Sequence, residues 1–310
     1  MTFELTILGS SSAVPTSKRN LTAHVLNVHE RFFLIDCGEG TQIQLRKNKI
    51  RFGKINHVFI SHLHGDHIFG LFGLLSTFNL LNRKTDLHIY AHPELEKILS
   101  PHIQYFEHNI SYTIVYHYIN PKKNEVIYED DKLTIETIPL KHRVPTCGFL
   151  FKEKPYLRNL RKYVFNKYKI PISKIKNIQE GEDFIDEEMN VIKNSELTIP
   201  PYVSRSYAYC TDTAYTEKII PIIKDVDLLF HEATFAKNMK REAKLTQHST
   251  SEDAANIAKL AHVKKLIIGH FSARYKDVSA IVNEARQIFP DTFEAEDGEK
   301  YSIDLVREQI

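Results

Sequence analysis

Short runs of β-branched, aromatic and aliphatic residues, each closed by glycine or a polar turn, recur along the chain and predict strands. Phe3-Glu4-Leu5-Thr6-Ile7-Leu8 is the first, and it ends in Gly9 and a serine-rich turn. Ala23–Val28 and Arg31–Ile35 flank His29-Glu30 and predict a hairpin. After the glycine-punctuated turn Asp36-Cys37-Gly38-Glu39-Gly40 the pattern predicts a helix over Thr41–Lys47 and a strand over 57–60. It continues with a strongly apolar helix over 68–81, a strand over 87–90 and a helix over 93–99 with Pro93 in its first turn. Residues 112–118, 125–128, 132–138 and 147–151 predict short strands in an antiparallel section. The second half alternates: strand Ser206–Cys210, helix 216–223, strand 226–230, helix 251–261, strand 265–268, helix 277–289 and a short strand over 292–295. Strands in runs, then strands alternating with helices, imply an α/β fold built as a layered sandwich.

Composition changes this picture little until charge is placed along the chain. The 310 residues are 42% hydrophobic and 26% charged, which fits an ordinary globular protein with a core that needs no staples. No apolar run approaches the roughly 18–20 residues that span a membrane, and residues 1–20 show no secretory signal. The three cysteines, Cys37, Cys147 and Cys210, are too few and too scattered for a disulfide framework or a cysteine zinc site, so a cytoplasmic location is expected. The formal net charge of +2 argues at first against a nucleic-acid partner. Yet residues 152–176 hold nine basic side chains against one acid, Glu153, with Tyr156, Tyr163, Phe165 and Tyr168 between them. An acidic run from Glu180 to Glu188 follows, so the chain-wide sum hides a segregation. The segment lies between two core strands and reads as an insertion.

The densest chemistry is Ser61-His62-Leu63-His64-Gly65-Asp66-His67, three imidazoles and a carboxylate directly after a predicted strand. These are ligand types suited to zinc. A two-metal site needs further ligands, and single candidates stand where later strands give way to loops: His142, Asp212 and His270. Alone, each is as readily a loop histidine or a capping aspartate. Together with the heptapeptide they make a metal centre. The other nine histidines outside the motifs, His24 and His108 among them, fall in no such pattern.

HxHxDH followed by separate His, Asp and His resembles the metallo-β-lactamase superfamily. Five further motifs narrow the resemblance to ribonuclease Z, the tRNA 3′-processing endoribonucleases. They are the loop at 8–15, Asp36-Cys37-Gly38-Glu39-Gly40-Thr41-Gln42, His231-Glu232-Ala233-Thr234, His248-Ser249-Thr250 and His270-Phe271-Ser272-Ala273-Arg274-Tyr275. The resemblance implies a four-layer αββα sandwich over 1–310 with a flexible arm inserted at 152–205. It implies two Zn2+ per subunit: His62, His64 and His142 on the first, Asp66, His67 and His270 on the second, and Asp212 bridging. Asp66 would also orient or deprotonate the attacking water, His248 would protonate the ribose 3′ oxygen, and Glu232 would hold His248 in the right tautomer. His231 and Glu232 are also open to a reading as strand caps, and His248 to one as the N-cap or a flanking residue of the helix over 251–261.

The expected partners are precursor tRNA and a second copy of the chain in a homodimer. The arm's Arg158, Arg161 and Lys162, spaced between Leu157, Leu160 and Val164 as on a helix, would contact phosphates. Here the arm has Ile170-Pro171-Ile172-Ser173-Lys174 where many family members carry Gly-Pro-Leu. Pro15-Thr16-Ser17-Lys18-Arg19-Asn20 keeps Pro, Arg and Asn of a family loop with Lys one place later, which makes Arg19 and Asn20 RNA candidates. Arg274 and Tyr275 would touch phosphate and stack a base, or simply pack. Two other functions fit less of the pattern: a hydrolase of the same fold acting on small esters, and a non-catalytic RNA-binding subunit.

Overall fold

The chain is described from a computed structural model, over residues 1–106 and 110–309; His108 lies outside the described residues. The first six strands are β1 (Phe3–Gly9), β2 (Ala23–Val28), β3 (Arg31–Ile35), β4 (Ile55–Phe59), β5 (Leu87–Ala91) and β6 (Ile114–Tyr118). Then come β7 (Val126–Glu129), β8 (Leu133–Pro139), β9 (Cys147–Glu153), β10 (Ser206–Cys210), β11 (Leu228–Glu232), β12 (Lys265–Gly269), β13 (Thr292–Glu294) and β14 (Lys300–Ser302). They form two seven-stranded sheets, ordered β14-β1-β2-β3-β4-β5-β6 and β13-β12-β11-β10-β9-β8-β7. In the first sheet β3 to β6 run parallel, and in the second β10 to β13 do.

Three apolar clusters define the layers. Phe3, Phe33 and Phe59 from the first sheet meet Phe149, Phe151, Tyr207 and Phe230 from the second. The outer face of the first sheet packs Val25, Val58 and Ile89 under Leu71, Leu74 and Phe78 of helix Gly65–Leu80 and Leu95 of helix Glu94–Phe106. The outer face of the second packs Leu229 and Leu266 under Ala254, Ile257 and Ala258 of helix Ser251–Leu260 and Ile281 of helix Ser279–Arg286. Helix, sheet, sheet, helix is the expected sandwich.

Local chemistry sets the elements. His29 and Glu30 both take positive φ, 51° and 66°, as the tight turn between β2 and β3 requires. Helix Ser251–Leu260 starts at Thr250, which forms a capping box with Asp253. Helix Gly65–Leu80 begins three residues before the apolar run that announced it, so Asp66 and His67 lie in its first turn. It can approach the Asp36–Gly40 turn only because Gly70 and Gly38 lack side chains: a Cβ on Gly70 would stand 2.0 Å from the Gly38 carbonyl oxygen.

Several expectations are corrected. The strand in 112–118 belongs to the first sheet, parallel to β5, because it is reached through a helical crossover rather than a hairpin. The helix expected over 216–223 is one 3-10 turn, Glu217–Ile219, cut short by Pro221, which has no N–H to donate and clashes with the preceding turn. Helix Glu94–Phe106 runs past residue 99 and through Pro101. The helical spacing read at 157–164 is also not realised: Asn159–Leu160 pairs as a strand with Thr198–Ile199, and a helix covers only Val164–Tyr168.

Glu153–Arg205 and the chain from Asp304 onward form a second compact unit. Its small core is Val164, Ile170, Ile178, Phe184, Ile192 and Leu197. At its root the buried Arg205 guanidinium donates to both oxygens of buried Glu153, at 2.8 and 3.0 Å. The Arg307 guanidinium donates to the Pro200 carbonyl and lies over the Tyr202 ring.

Candidate metal centre

Strand ends deliver the polar residues. Ser61 and the heptapeptide follow β4, His142 follows β8, Asp212 follows β10, Glu232 ends β11 and His270 follows β12. Asp36, Asp212 and His270 take positive φ of 55°, 40° and 58°. Such conformations cost about 1–3 kcal/mol each in non-glycine residues and persist where surrounding bonds over-determine them.

His62, His64, His142 and Asp212 bring one ligand atom each within 4.8 Å of one another, and so do Asp66, His67 and His270. Asp212 faces both groups. Its Oδ2 is 3.4 Å from His62 Nε2 and 3.6 Å from His142 Nε2, while its Oδ1 is 3.3 Å from His67 Nε2 and 3.1 Å from His270 Nε2. Asp66 Oδ2 closes the second group at 3.6 and 3.5 Å from the same two nitrogens. A tetrahedron with zinc–nitrogen bonds of 2.0–2.1 Å has edges of about 3.3 Å. The spacing therefore fits two cations joined through Asp212.

The hydrogen bonds fix which way the lone pairs point. His67 Nδ1 donates to Asp36 Oδ2 at 2.8 Å. His142 Nδ1 donates to the Gln247 carbonyl at 2.9 Å. Ser61 Oγ donates to Asp36, so it accepts from His62 Nδ1; Thr234 Oγ1 donates to Glu232, so it accepts from His270 Nδ1. Each of these four rings thus turns an Nε2 lone pair inward. Among the described residues, the Nε2 atoms of His67 and His270 are buried and find no hydrogen-bond partner. Lone pairs facing lone pairs and carboxylates repel unless positive charge stands between them, so the residues fit a dinuclear metal centre. Burial pushes the His62, His64 and His142 imidazoles below their ordinary value, toward the neutral ligating form. Burial also opposes charge on His67, but Asp212, Asp66 and Asp36 outweigh it and demand a positive charge there. A divalent cation on Nε2 meets that demand in place of a proton.

Beside this centre, the His248 ring stacks 5.5 Å from the His270 ring and lies tilted 4.9 Å from the His142 ring. Its Nδ1 donates to Glu232 Oε1 at 2.8 Å, leaving Nε2 free. Glu232 is fully buried and also accepts from Thr213 N, Thr234 Oγ1 and Ser249 N. Burial opposes protonation of His248, but the Glu232 carboxylate prevails and lifts it to about 9. The helix cap is Thr250, not His248, and Glu232 both ends its strand and holds the histidine.

Outside the second unit, Arg19 meets Tyr275, while Asn20 and Arg274 keep other partners. Arg19 is buried; it donates to the Tyr275 carbonyl and lies over the Phe271 ring. Asn20 is bound through its backbone and side chain to Asp297. The Tyr275 hydroxyl accepts from Ala236 N, and Arg274 lies over Phe235. Within the second unit Arg158 donates to Thr198, Arg161 is half-buried and Lys162 is exposed. Asp36 received no role from the sequence, although a carboxylate at a strand end was the signal that found Asp212. It accepts from Ser61, His67 and Tyr209. Gln247 acts through its carbonyl, for which no sequence signal exists.

A family model described as Anti-Pycsar protein Apyc1 matches residues 3–158, the half that carries the heptapeptide and His142 but not Asp212, Glu232, His248 or His270. Ribonuclease Z of Phocaeicola vulgatus is 50% identical over 305 residues, covering 98% of this chain and 99% of the relative. The crystal structure of human tRNase Z, short form (ELAC1), matches with a TM-score of 0.71 at 25% identity, over 97% of this chain and 99% of that one. The metallo-beta-lactamase fold protein YhfI from Bacillus subtilis matches with a TM-score of 0.68 at 18% identity, over 97% and 100%, a likeness of fold.

Proposed function

The chain belongs to the ribonuclease Z family, and from that premise we propose that it removes the 3′ trailer from precursor tRNA by metal-assisted hydrolysis. It is an endoribonuclease of the metallo-β-lactamase fold. Two zinc ions are the expected cofactor: His62, His64 and His142 would hold the first, Asp66, His67 and His270 the second, and Asp212 would serve both. When bound, such a pair lowers the pKa of a water and offsets the charge that develops on the phosphoryl oxygens. Every other step belongs to the chain. Asp66, fixed by the Ala13 N–H at 2.7 Å, orients the attacking water. His248 gives the proton on Nε2 to the departing ribose 3′ oxygen. Glu232 keeps Nδ1 protonated and so keeps Nε2 turned to the leaving group. The products are a tRNA 3′-hydroxyl and a 5′-phosphorylated trailer. We assign the basic segment within 153–205 to gripping the tRNA body, and the working form to a cytoplasmic homodimer. Among the described residues no helix is long and apolar enough to cross a membrane.

The observation that carries this reading is the convergence of four Nε2 lone pairs on the two oxygens of Asp212, with the His248–Glu232 pair at its side. Purified protein should hold about two zinc ions per chain and cut precursor tRNA, and Asp212→Ala should lose both properties. Metal-loaded protein that leaves precursor tRNA intact contradicts the proposal.

A further inference from the structure

Beside the metal centre a groove of about 790 Å³ opens between the loop after β8 and the segment after Asp212. His142 is part of its wall, so the groove begins at a metal ligand. Lys122, Lys141, Arg143 and Lys218 also line it, all exposed, and among the described residues no carboxylate does. In a chain with a net charge of only +2, four cations without an acid at the edge of the catalytic centre form a local anion-binding surface. The walls between them are apolar: Pro139, Leu140, Val144, Pro145 and Ile222.

The groove is held in shape by its backbone. Lys141 N donates to Thr213 Oγ1 and its carbonyl accepts from Ala214 N, which ties it to the residues directly after Asp212. Leu140 N donates to the Thr146 carbonyl, and Thr146 Oγ1 to the Val144 carbonyl, closing the loop on itself. The cationic side chains project from a wall that need not reorder when a ligand arrives.

We propose that this groove binds the 3′ trailer as single-stranded RNA, its phosphates on Lys122, Lys141, Arg143 and Lys218 and its bases against the apolar wall. The inference rests on the ribonuclease reading above and names a substrate subsite for it. Size and chemistry select the trailer over the tRNA body. Volumes of about 300–1,000 Å³ hold small ligands, so the groove takes a short single strand and not the acceptor duplex. Lysine and arginine ends read phosphates, not sequence, and among the described residues the lining has no Asn, Gln, Asp or Glu to read base edges. That suits a strand whose sequence differs from one precursor to the next.

The test is Lys122→Ala/Arg143→Ala/Lys218→Ala in the full chain, with metal content and melting temperature as controls. Its substrates are one precursor tRNA with a one-nucleotide trailer and the same tRNA with a trailer of several nucleotides. The long trailer should lose about tenfold in kcat/KM relative to the short one. Its salt slope should shrink by about 2, near 0.7 per lost phosphate contact. A 4-thiouridine placed in the trailer should crosslink wild-type protein at residues 139–146 or 216–222, independently of cleavage. Equal losses on both trailers, no loss on either, or crosslinks mapping elsewhere would overturn the proposal. Wild-type protein that cuts neither substrate contradicts the ribonuclease reading itself. Wild-type protein that cuts both while the variant loses nothing contradicts the groove alone.

Discussion

At the scale of single residues, the centre depends on side chains that touch no metal. Asp36 collects donors from Ser61, His67 and Tyr209 while wholly buried, so its charge orients His67 and, through Ser61, His62. Asparagine tolerates the positive φ of 55° at this position, so Asp36→Asn removes the charge and keeps the turn. Metal affinity should fall about 10- to 100-fold, measured by chelator competition; unchanged affinity would mean Asp36 only packs. His248 supports a different expectation. If Nε2 protonates the ribose oxygen, His248→Ala should slow precursor tRNA cleavage by about 10²- to 10⁴-fold. The same variant should barely affect bis(p-nitrophenyl) phosphate, whose leaving group needs no proton. Equal losses on both substrates would assign His248 to the metal centre instead. The convergence of the candidate ligands was legible because imidazoles and carboxylates at strand ends stand out in one dimension. Gln247, Thr234 and Ser61 were not, because a carbonyl or a hydroxyl becomes a partner only when the fold brings it to a ring nitrogen.

At the scale of elements, the sequence announces what local pattern dictates and misses what distant pairing dictates. Helix Thr41–Lys47 and strand Ser206–Cys210 have the predicted bounds. Strand Lys300–Ser302 escaped notice because its pairing partner is β1, nearly three hundred residues away. Asn159–Leu160 looked helical because Leu157, Leu160 and Val164 share a helical period, yet pairing with Thr198–Ile199 prevails. That pairing sets Leu160 against the second unit's small core, and the Glu153–Arg205 pair forms its root. Glu153→Gln leaves the guanidinium buried and unmatched, a loss of about 3–5 kcal/mol for a broken buried pair. Burial raises the Glu153 pKa, but the Arg205 hydrogen bonds outweigh it and hold the carboxyl below its ordinary value. A depressed carboxyl stabilises the fold above its unfolded pKa, near 4.3, and loses that contribution as pH falls through the folded value. The gap in urea midpoint between wild type and Glu153→Gln should be widest at pH 7 and narrow below about pH 4. A gap independent of pH would contradict the ion-pair account. Lys162, Lys169 and Lys174 on the same unit are exposed. Replacing all three with alanine should raise KM for precursor tRNA and flatten its salt dependence, leaving small-ester hydrolysis intact. An unchanged KM would remove the arm from RNA binding.

At the scale of the whole molecule, two half-parallel sheets aim their strand ends at one edge, and that edge gathers seven candidate ligand residues from four separate stretches of chain. The net charge of +2 says nothing of this. Nine basic side chains fall within residues 152–176 with the acidic run Glu180–Glu188 after them in the second unit, and four more cations line the groove beside His142. The central claim is hydrolysis at a precursor tRNA's 3′ side by water attack with departure of a ribose 3′ oxygen. Its most direct test is to map both ends left by the zinc-loaded wild-type protein on one precursor tRNA. A single cut near the discriminator base is expected, leaving a 3′-hydroxyl on the tRNA and a 5′-phosphate on the trailer. A 2′,3′-cyclic phosphate with a 5′-hydroxyl trailer, or no cut by metal-loaded protein, would contradict it.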